Sequence, residues 1–428
     1  MAFLKKVAKV ALVIVPVLLW VPIAAFLSFD GIWMQSIVPE HAHDEFMTYA
    51  KQTMDETLKG NGALVLIENG EVVGSHFQTA RAWRDKAELS IDAKHSIDTK
   101  HSINGDTLFS TASMSKFIAA IAIHKLADNG DIQLDNSVGD YLTSWSIPKS
   151  NFNHQDITIE RLLGHTSGLT DGLGFGNYES NEALPSVVES LNAPRASVEG
   201  KRIEVGVAPG TEFRYSGGGY LILEQLIEEL TQQRYSSWVG QNVLKTNGMV
   251  NSTFDYVDDS TRHAGSFDAE GNSAPVYQYA SSAATALNAS ANDLAGLVKS
   301  LLKQPELLNS LSKPVGSLMG APIWGRGAML YVPLNDGQFI IGHDGSNDPA
   351  INTSLRINPV TGDGYIALVT GHSTLASEIG FEWTLWQSGK PDFIFFDRAL
   401  SSAVVPMVVG SVVWIAFALF VLIRRKRK

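Results

Sequence analysis

Residues 107–128 read Thr107-Leu-Phe-Ser-Thr-Ala-Ser113-Met-Ser-Lys116-Phe-Ile-Ala-Ala-Ile-Ala-Ile-His-Lys-Leu-Ala-Asp128. From residue 117 onward apolar side chains recur at helical spacing through Ile118, Ile121 and Leu126, and Gly130 suits the position just past a helix C-terminus. Ser113 and Lys116 lie where the chain enters that helix. Residues three apart share a helix face, so the hydroxyl and the ammonium can touch. The free N–H groups and dipole of a helix start favour an anion and help keep a lysine neutral. A serine beside an amine base is one way to activate a hydroxyl. S-x-x-K alone is a weak signal, because Ser113 also suits a plain N-cap.

Outward from this stretch, a polar segment at 41–59 reads as a helix. Ala63-Leu-Val-Leu-Ile67 then meets Asn69-Gly70 and Glu71-Val-Val-Gly74, the signature of a type I′ hairpin. A tandem hexapeptide follows, Ser90-Ile-Asp-Ala-Lys-His95 and Ser96-Ile-Asp-Thr-Lys-His101. Its histidines stand beside Asp92 and Asp98, but the repeat is too short for a solenoid and reads as a duplicated surface loop, not a metal site. His41 and His43 are read the same way, so no metal and no cofactor is expected. Helical patterns return at 159–164, 220–231 and 293–302. Strand-like runs at 328–333, 338–342, 351–357 and 365–370 are separated by Asp-Gly and Gly-Asp-Gly turns, and 375–386 is helical again. The expected fold is α+β: an antiparallel β-sheet with strands from both ends of the domain, flanked by helices, with an α-rich lobe inserted between them.

The ends differ from the body. Residues 10–29 are twenty without a charge and 403–423 form a second uncharged run, each about the ~20 residues a membrane crossing needs. Lys5, Lys6 and Lys9 precede the first, and Arg424-Arg-Lys-Arg-Lys428 follows the second. Positive residues stay on the cytoplasmic side. The expected order is a cytoplasmic N-terminus at 1–9, a transmembrane helix at 10–29, an extracytoplasmic domain at 30–402 with its core at about 60–385, a second span at 403–423 and a cytoplasmic tail at 424–428. This places the domain outside a cytoplasmic (inner) membrane. The first apolar run exceeds the ~7–15 residues of a signal peptide, which favours an uncleaved anchor. Without the terminal clusters the body carries 25 basic against 44 acidic residues, a balance that repels nucleic-acid phosphates. The chain has no cysteine, so disulfides and thiol catalysis are excluded.

Three further elements accompany Ser113-Met-Ser-Lys116 in order. Pro209-Gly-Thr-Glu-Phe-Arg-Tyr215-Ser-Gly217 precedes a helix, His343-Asp-Gly345 lies in a strand run before Ser346, and Leu162-Leu-Gly-His-Thr-Ser-Gly-Leu169 lies between Lys116 and Pro209. Together with Thr107-Leu-Phe109 and Asn247-Gly-Met249, these resemble the serine β-lactamase and penicillin-binding-protein superfamily, in its class C-related branch. The resemblance spans roughly residues 60–385. It implies that Ser113 is the acylated nucleophile, Lys116 the base and Tyr215 a proton relay. It also implies that His343 lines the strand edge, where many relatives place a lysine. The backbone N–H groups of Ser113 and Ser346 would form the oxyanion hole. His165 and Ser167 are read as structural.

The departure is Gly217, where the family pattern Y-x-N ends in asparagine. Glycine offers no amide to the substrate, so Gly217 and Gly345 are the substrate-facing positions to compare, and the balance moves from amides toward esters. The expected function is a membrane-anchored serine hydrolase acting on a small or cell-envelope ester or amide. The alternative keeps the fold as an inactive penicillin-recognising sensor or scaffold. Neither G-x-S-x-G nor H-E-x-x-H occurs in the sequence.

Overall fold

The computed structural model describes residues 2–39, 42–83, 102–171, 176–195, 200–257 and 261–424. His41 and the repeat residues Asp92, His95, Asp98 and His101 lie outside them. The chain divides into two compact units, residues 43–380 and the paired termini 1–42 with 381–428.

In the larger unit the strands run β1 (Gly62–Glu68), β2 (Glu71–Gln78), β3 (Leu108–Ser110), β4 (Ser266–Phe267), β5 (Ser273–Ala274) and β6 (Asn288–Ser290). They continue as β7 (Gly316–Leu318), β8 (Ala321–Trp324), β9 (Met329–Pro333), β10 (Phe339–Asn347), β11 (Ile351–Asn358) and β12 (Asp363–Thr370). One antiparallel sheet has the order β2-β1-β12-β11-β10-β9-β8-β7, so its two halves come from opposite ends of the unit, as expected. The β1–β2 turn is the anticipated one: Asn69 and Gly70 have φ of 51° and 78°, the left-handed values a type I′ turn requires. Strands β11 and β12 are buried along their whole length, and the outermost strand β2 is largely exposed.

β7 and β8 were not anticipated. They are three and four residues long, and Pro322 and Gly320 break the alternation that marks a strand. β10 joins the expected run at 338–342 to the His343-Asp-Gly345 strand run and carries both into the sheet as far as Asn347.

The polypeptide between β2 and β7 holds the helices Ser115–Asp128, Ile159–Leu163, Val187–Asn192, Gly217–Thr231, Tyr235–Val239, Ala291–Leu301 and Pro305–Leu311. Ser115–Asp128 is buried on nearly every side, which explains its run of Ile and Ala without a polar face. The short pair β3–β6 clamps the chain just before this helix, because Leu108 registers with Ser290 and Ser110 with Asn288.

In the second unit the helices Ala2–Phe29 and Phe396–Arg424 pair antiparallel. Trp20 Nε1 donates to Pro406 O at 3.0 Å and Trp414 Nε1 to Leu12 O at 3.1 Å. Gly410 lets the Trp20 indole approach, since a Cβ there would overlap it. Pro16 and Pro22 lie within the first helix without ending it. Val10–Ser28 and Leu400–Arg424 are long and apolar enough to cross a bilayer and suggest a membrane anchor.

Candidate active site

The nucleophile turn is built before its helix. Thr111 donates from both its N–H and its hydroxyl to Leu287 O, each at 2.9 Å, and its own carbonyl accepts from Thr353 Oγ1 at 2.8 Å. Ala112 is then forced to φ 49°, a left-handed value that costs a non-glycine residue about 1–2 kcal/mol. A single 3₁₀ turn, Ala112–Met114, leads into the helix that starts at Ser115.

Ser113 is half-buried, whereas Ser115 and Ser167 are buried. Ser115 is occupied: its hydroxyl donates to Ala112 O at 2.7 Å and accepts from Leu287 N–H at 3.0 Å. That leaves Ser113 as the hydroxyl of this turn open to a substrate.

Lys116 Nζ lies 3.3 Å from Ser113 Oγ and donates to Ala284 O at 2.8 Å. Nζ also sits over the rings of Tyr215, at 5.1 Å, and Tyr220, at 5.7 Å. Burial lowers its pKa to about 7, with Asp171 pulling the other way. The Tyr215 hydroxyl is hydrogen-bonded to Ser113, and burial raises its pKa above the ordinary tyrosine value.

Two histidines complete the enclosure. His165 Nδ1 accepts from the Ser216 N–H at 3.1 Å, so the proton of the neutral ring is on Nε2, which has no partner among the described residues. His165 packs against Tyr215 at 4.3 Å and Trp324 at 4.6 Å between ring centroids. His343 Nδ1 donates to Asp344 O at 2.6 Å, which leaves Nε2 as a buried acceptor without a partner among the described residues. Burial, and then the nearby Lys116 charge, take His343 down to about 3 and His165 well below its ordinary value. With both imidazoles uncharged at neutral pH, Lys116 is the group beside Ser113 that titrates there.

Gly345 is required by a close approach. A Cβ on it would lie 2.2 Å from Thr111 O and 2.5 Å from Thr353 Oγ1. Only a residue without a side chain lets β10 lie against the nucleophile turn. Ser346 follows it and is exposed. Gly217 opens the helix Gly217–Thr231, whose N-cap Ser216 accepts from Gly219 N–H.

The structure thus brings Ser113, Lys116, Tyr215, His343 and Gly345 together from three parts of the chain. It adds three participants that the sequence did not disclose. Asp171 accepts from Ser216 Oγ at 2.5 Å and from Gly218 N–H at 2.9 Å, pinning the segment that carries Tyr215. The Ala284 carbonyl holds Lys116, and the Trp324 ring walls the site beside both histidines. Asp171 lies immediately after Gly-His-Thr-Ser-Gly-Leu169-Thr, the available pointer to it; a backbone carbonyl has no sequence signal at all.

A Beta-lactamase family profile matches residues 49–380. Protein flp of Staphylococcus aureus is 27% identical over 278 residues, covering 62% of this chain and 53% of flp. The chain therefore spans about half the length of that relative. Among solved structures, the octameric penicillin-binding protein homologue from Pyrococcus abyssi superposes with a TM-score of 0.62 at 20% identity, covering 83% of this chain and 80% of its own. A β-lactamase/D-alanine carboxypeptidase from Pseudomonas syringae gives 0.60 at 14% identity, covering 79% and 97%. At such identities the superpositions establish the fold alone.

Proposed function

Because this chain belongs to the Beta-lactamase family of serine hydrolases, we propose that it is a membrane-anchored hydrolase that forms an acyl-enzyme on Ser113 and prefers esters. The observation that carries this reading is the Ser113–Lys116 pair: an amine of pKa about 7, 3.3 Å from a half-exposed hydroxyl. In the proposed step neutral Lys116 takes the Ser113 proton as Oγ attacks the substrate carbonyl. The N–H groups of Ser113 and Ser346 receive the oxyanion, and Tyr215 relays the proton to the leaving oxygen. Water then cleaves the ester formed on Ser113 and releases the acid. His343 and His165, both uncharged, pack the wall of the site against Trp324, and His165 positions Tyr215.

The preference for esters follows from Gly217. A site that cannot accept or donate a hydrogen bond to the acyl-amide group loses its discrimination in favour of amides. The membrane anchor rests on the two apolar helices, and the charge clusters beside them support a domain outside the cytoplasm.

A fluorophosphonate probe should add its mass to the peptide that carries Ser113, and Ser113→Ala should abolish the adduct. The wild type should hydrolyse short p-nitrophenyl esters faster than nitrocefin, and Gly217→Asn should narrow that gap. An adduct on Ser115 or Ser167 that survives Ser113→Ala with unchanged turnover would overturn the reading.

A further inference from the structure

The helix Gly217–Thr231 carries Glu224, a carboxylate only 3% exposed and in no ion pair among the described residues. Carboxylates are almost never fully buried without a paired charge, so its hydrogen bonds call for an explanation. Glu224 Oε2 accepts from Ser281 Oγ and from the Ala283 N–H, both at 3.0 Å. Ser281 Oγ in turn accepts from the Ala284 N–H at 3.2 Å, and Ser281 O accepts from the Thr285 N–H at 3.2 Å. One carboxylate oxygen therefore closes the whole 281–285 turn. The outward product of that turn is the Ala284 carbonyl, which holds Lys116 Nζ at 2.8 Å. Further along, Leu287 is bonded to Thr111 and Ser115 on either side of Ser113. The segment is clamped by the nucleophile turn at one end and by Glu224 at the other, with the lysine's acceptor between.

We propose that Glu224 is a positioning residue for Lys116: it holds the 281–285 turn so that the Ala284 carbonyl keeps Nζ within reach of Ser113 Oγ. The inference rests on the acyl-transfer reading of Ser113 given above. A lysine reaches its place through four rotatable bonds, and displacement of a reacting group by about 1 Å can cost ~10²-fold in rate. What the turn requires of Glu224 is an acceptor oxygen, not a charge. Burial raises Glu224 to about 7, and the groups that face it, Glu228 one turn on and the Tyr235 phenol, offer no positive charge. Glutamine supplies the same oxygen and alanine does not.

The test uses the full-length protein in detergent. It measures the rate of Ser113 labelling by a fluorophosphonate and, separately, kcat and KM for a p-nitrophenyl ester, with thermal unfolding as the control for folding. Glu224→Ala should slow labelling and lower kcat by at least about tenfold with KM little changed, as expected when only the transition-state geometry suffers. Glu224→Gln should stay within about threefold of wild type, and Ser281→Ala should fall between them. Wild-type labelling rates in a folded Glu224→Ala overturn the inference, as does a Glu224→Gln as slow as the alanine variant. Should Glu224→Ala not fold, an unimpaired Ser281→Ala overturns it instead. A wild type that takes no label on Ser113 removes the acyl-transfer reading and this inference with it. A labelled wild type with an indifferent Glu224→Ala removes the inference alone.

Discussion

Lys116 is expensive to keep where it is. Moving its pKa from 10.5 to about 7 means that the folded protein holds fewer protons than the unfolded chain between those values. The penalty for burying the amine is therefore largest below about pH 7 and shrinks as pH rises toward 10.5. Lys116→Met should raise the unfolding temperature at pH 6–7, with the gain fading toward pH 10, while Ser113 labelling is nearly lost. The same titration shapes activity. The base must be neutral, so acylation should climb as pH rises through about 7. Asp171 favours the charged lysine, so Asp171→Asn should move that midpoint to lower pH; a midpoint unmoved or raised would show that Asp171 does not act on Lys116. Ser113, Lys116, Tyr215 and His343, which the structure brings together, could be named in advance because they are side-chain types in an ordered set of motifs. Asp171, 45 residues from the Ser216 it holds, and the Ala284 carbonyl, 168 residues from Lys116, could not. Nothing local marks a residue whose task is defined only after the chain has closed on itself.

Strand β10 shows how one element serves two faces. Along it, His343 and Gly345 turn toward the nucleophile, and Asp344 turns the other way. The Asp344 carboxylate accepts from Tyr331 OH at 2.7 Å, Ser354 Oγ at 2.6 Å and the fully buried Arg356 at 3.3 Å. Arg356 also donates to Gly380 O at 2.8 Å and lies over the Tyr331 ring. Asp344→Ala would leave the guanidinium without its carboxylate, and breaking such a pair costs about 3–5 kcal/mol. A urea unfolding midpoint should fall accordingly; a change below about 1 kcal/mol would mean that Arg356 finds other compensation. Gly345→Ala tests the opposite face. Its new Cβ must push β10 away from Thr111, so Ser113 labelling should fall more steeply than stability does. Sequence patterning found β9 to β12 because their apolar runs are long and bounded by Asp-Gly turns. It missed β7 and β8 because short strands with Pro and Gly carry little hydrophobic alternation.

The charge distribution and the helix pair bear on how the molecule meets a membrane. Three lysines precede the first apolar run and five cations follow the second, while the sequence between the two clusters is strongly acidic. Cations near the ends of a span resist translocation, and acidic residues contribute little to that choice. On the proposed topology each cluster would keep its own side in the cytoplasm. The pairing of the two helices agrees with both: Trp20 meets Pro406 and Leu12 meets Trp414, so the helices run antiparallel and residues 2 and 424 lie at the same end of the pair. Under that proposal, with two spans and both tails inside, residues 30–402 would lie outside. Alkaline phosphatase, which folds only in an oxidising compartment, should be active when fused at Lys59 or Lys390. A cytoplasmic reporter joined after Lys428 should be active as well. Replacing Arg424 to Lys428 by glutamines should weaken retention of the second tail without reversing the first span, since Lys5, Lys6 and Lys9 still hold that end. An inactive phosphatase at Lys59 would place the Ser113 site in the cytoplasm and exclude envelope substrates. Activity at Lys59 with inactivity at Lys390 would instead mean that the chain crosses the bilayer an additional time between them.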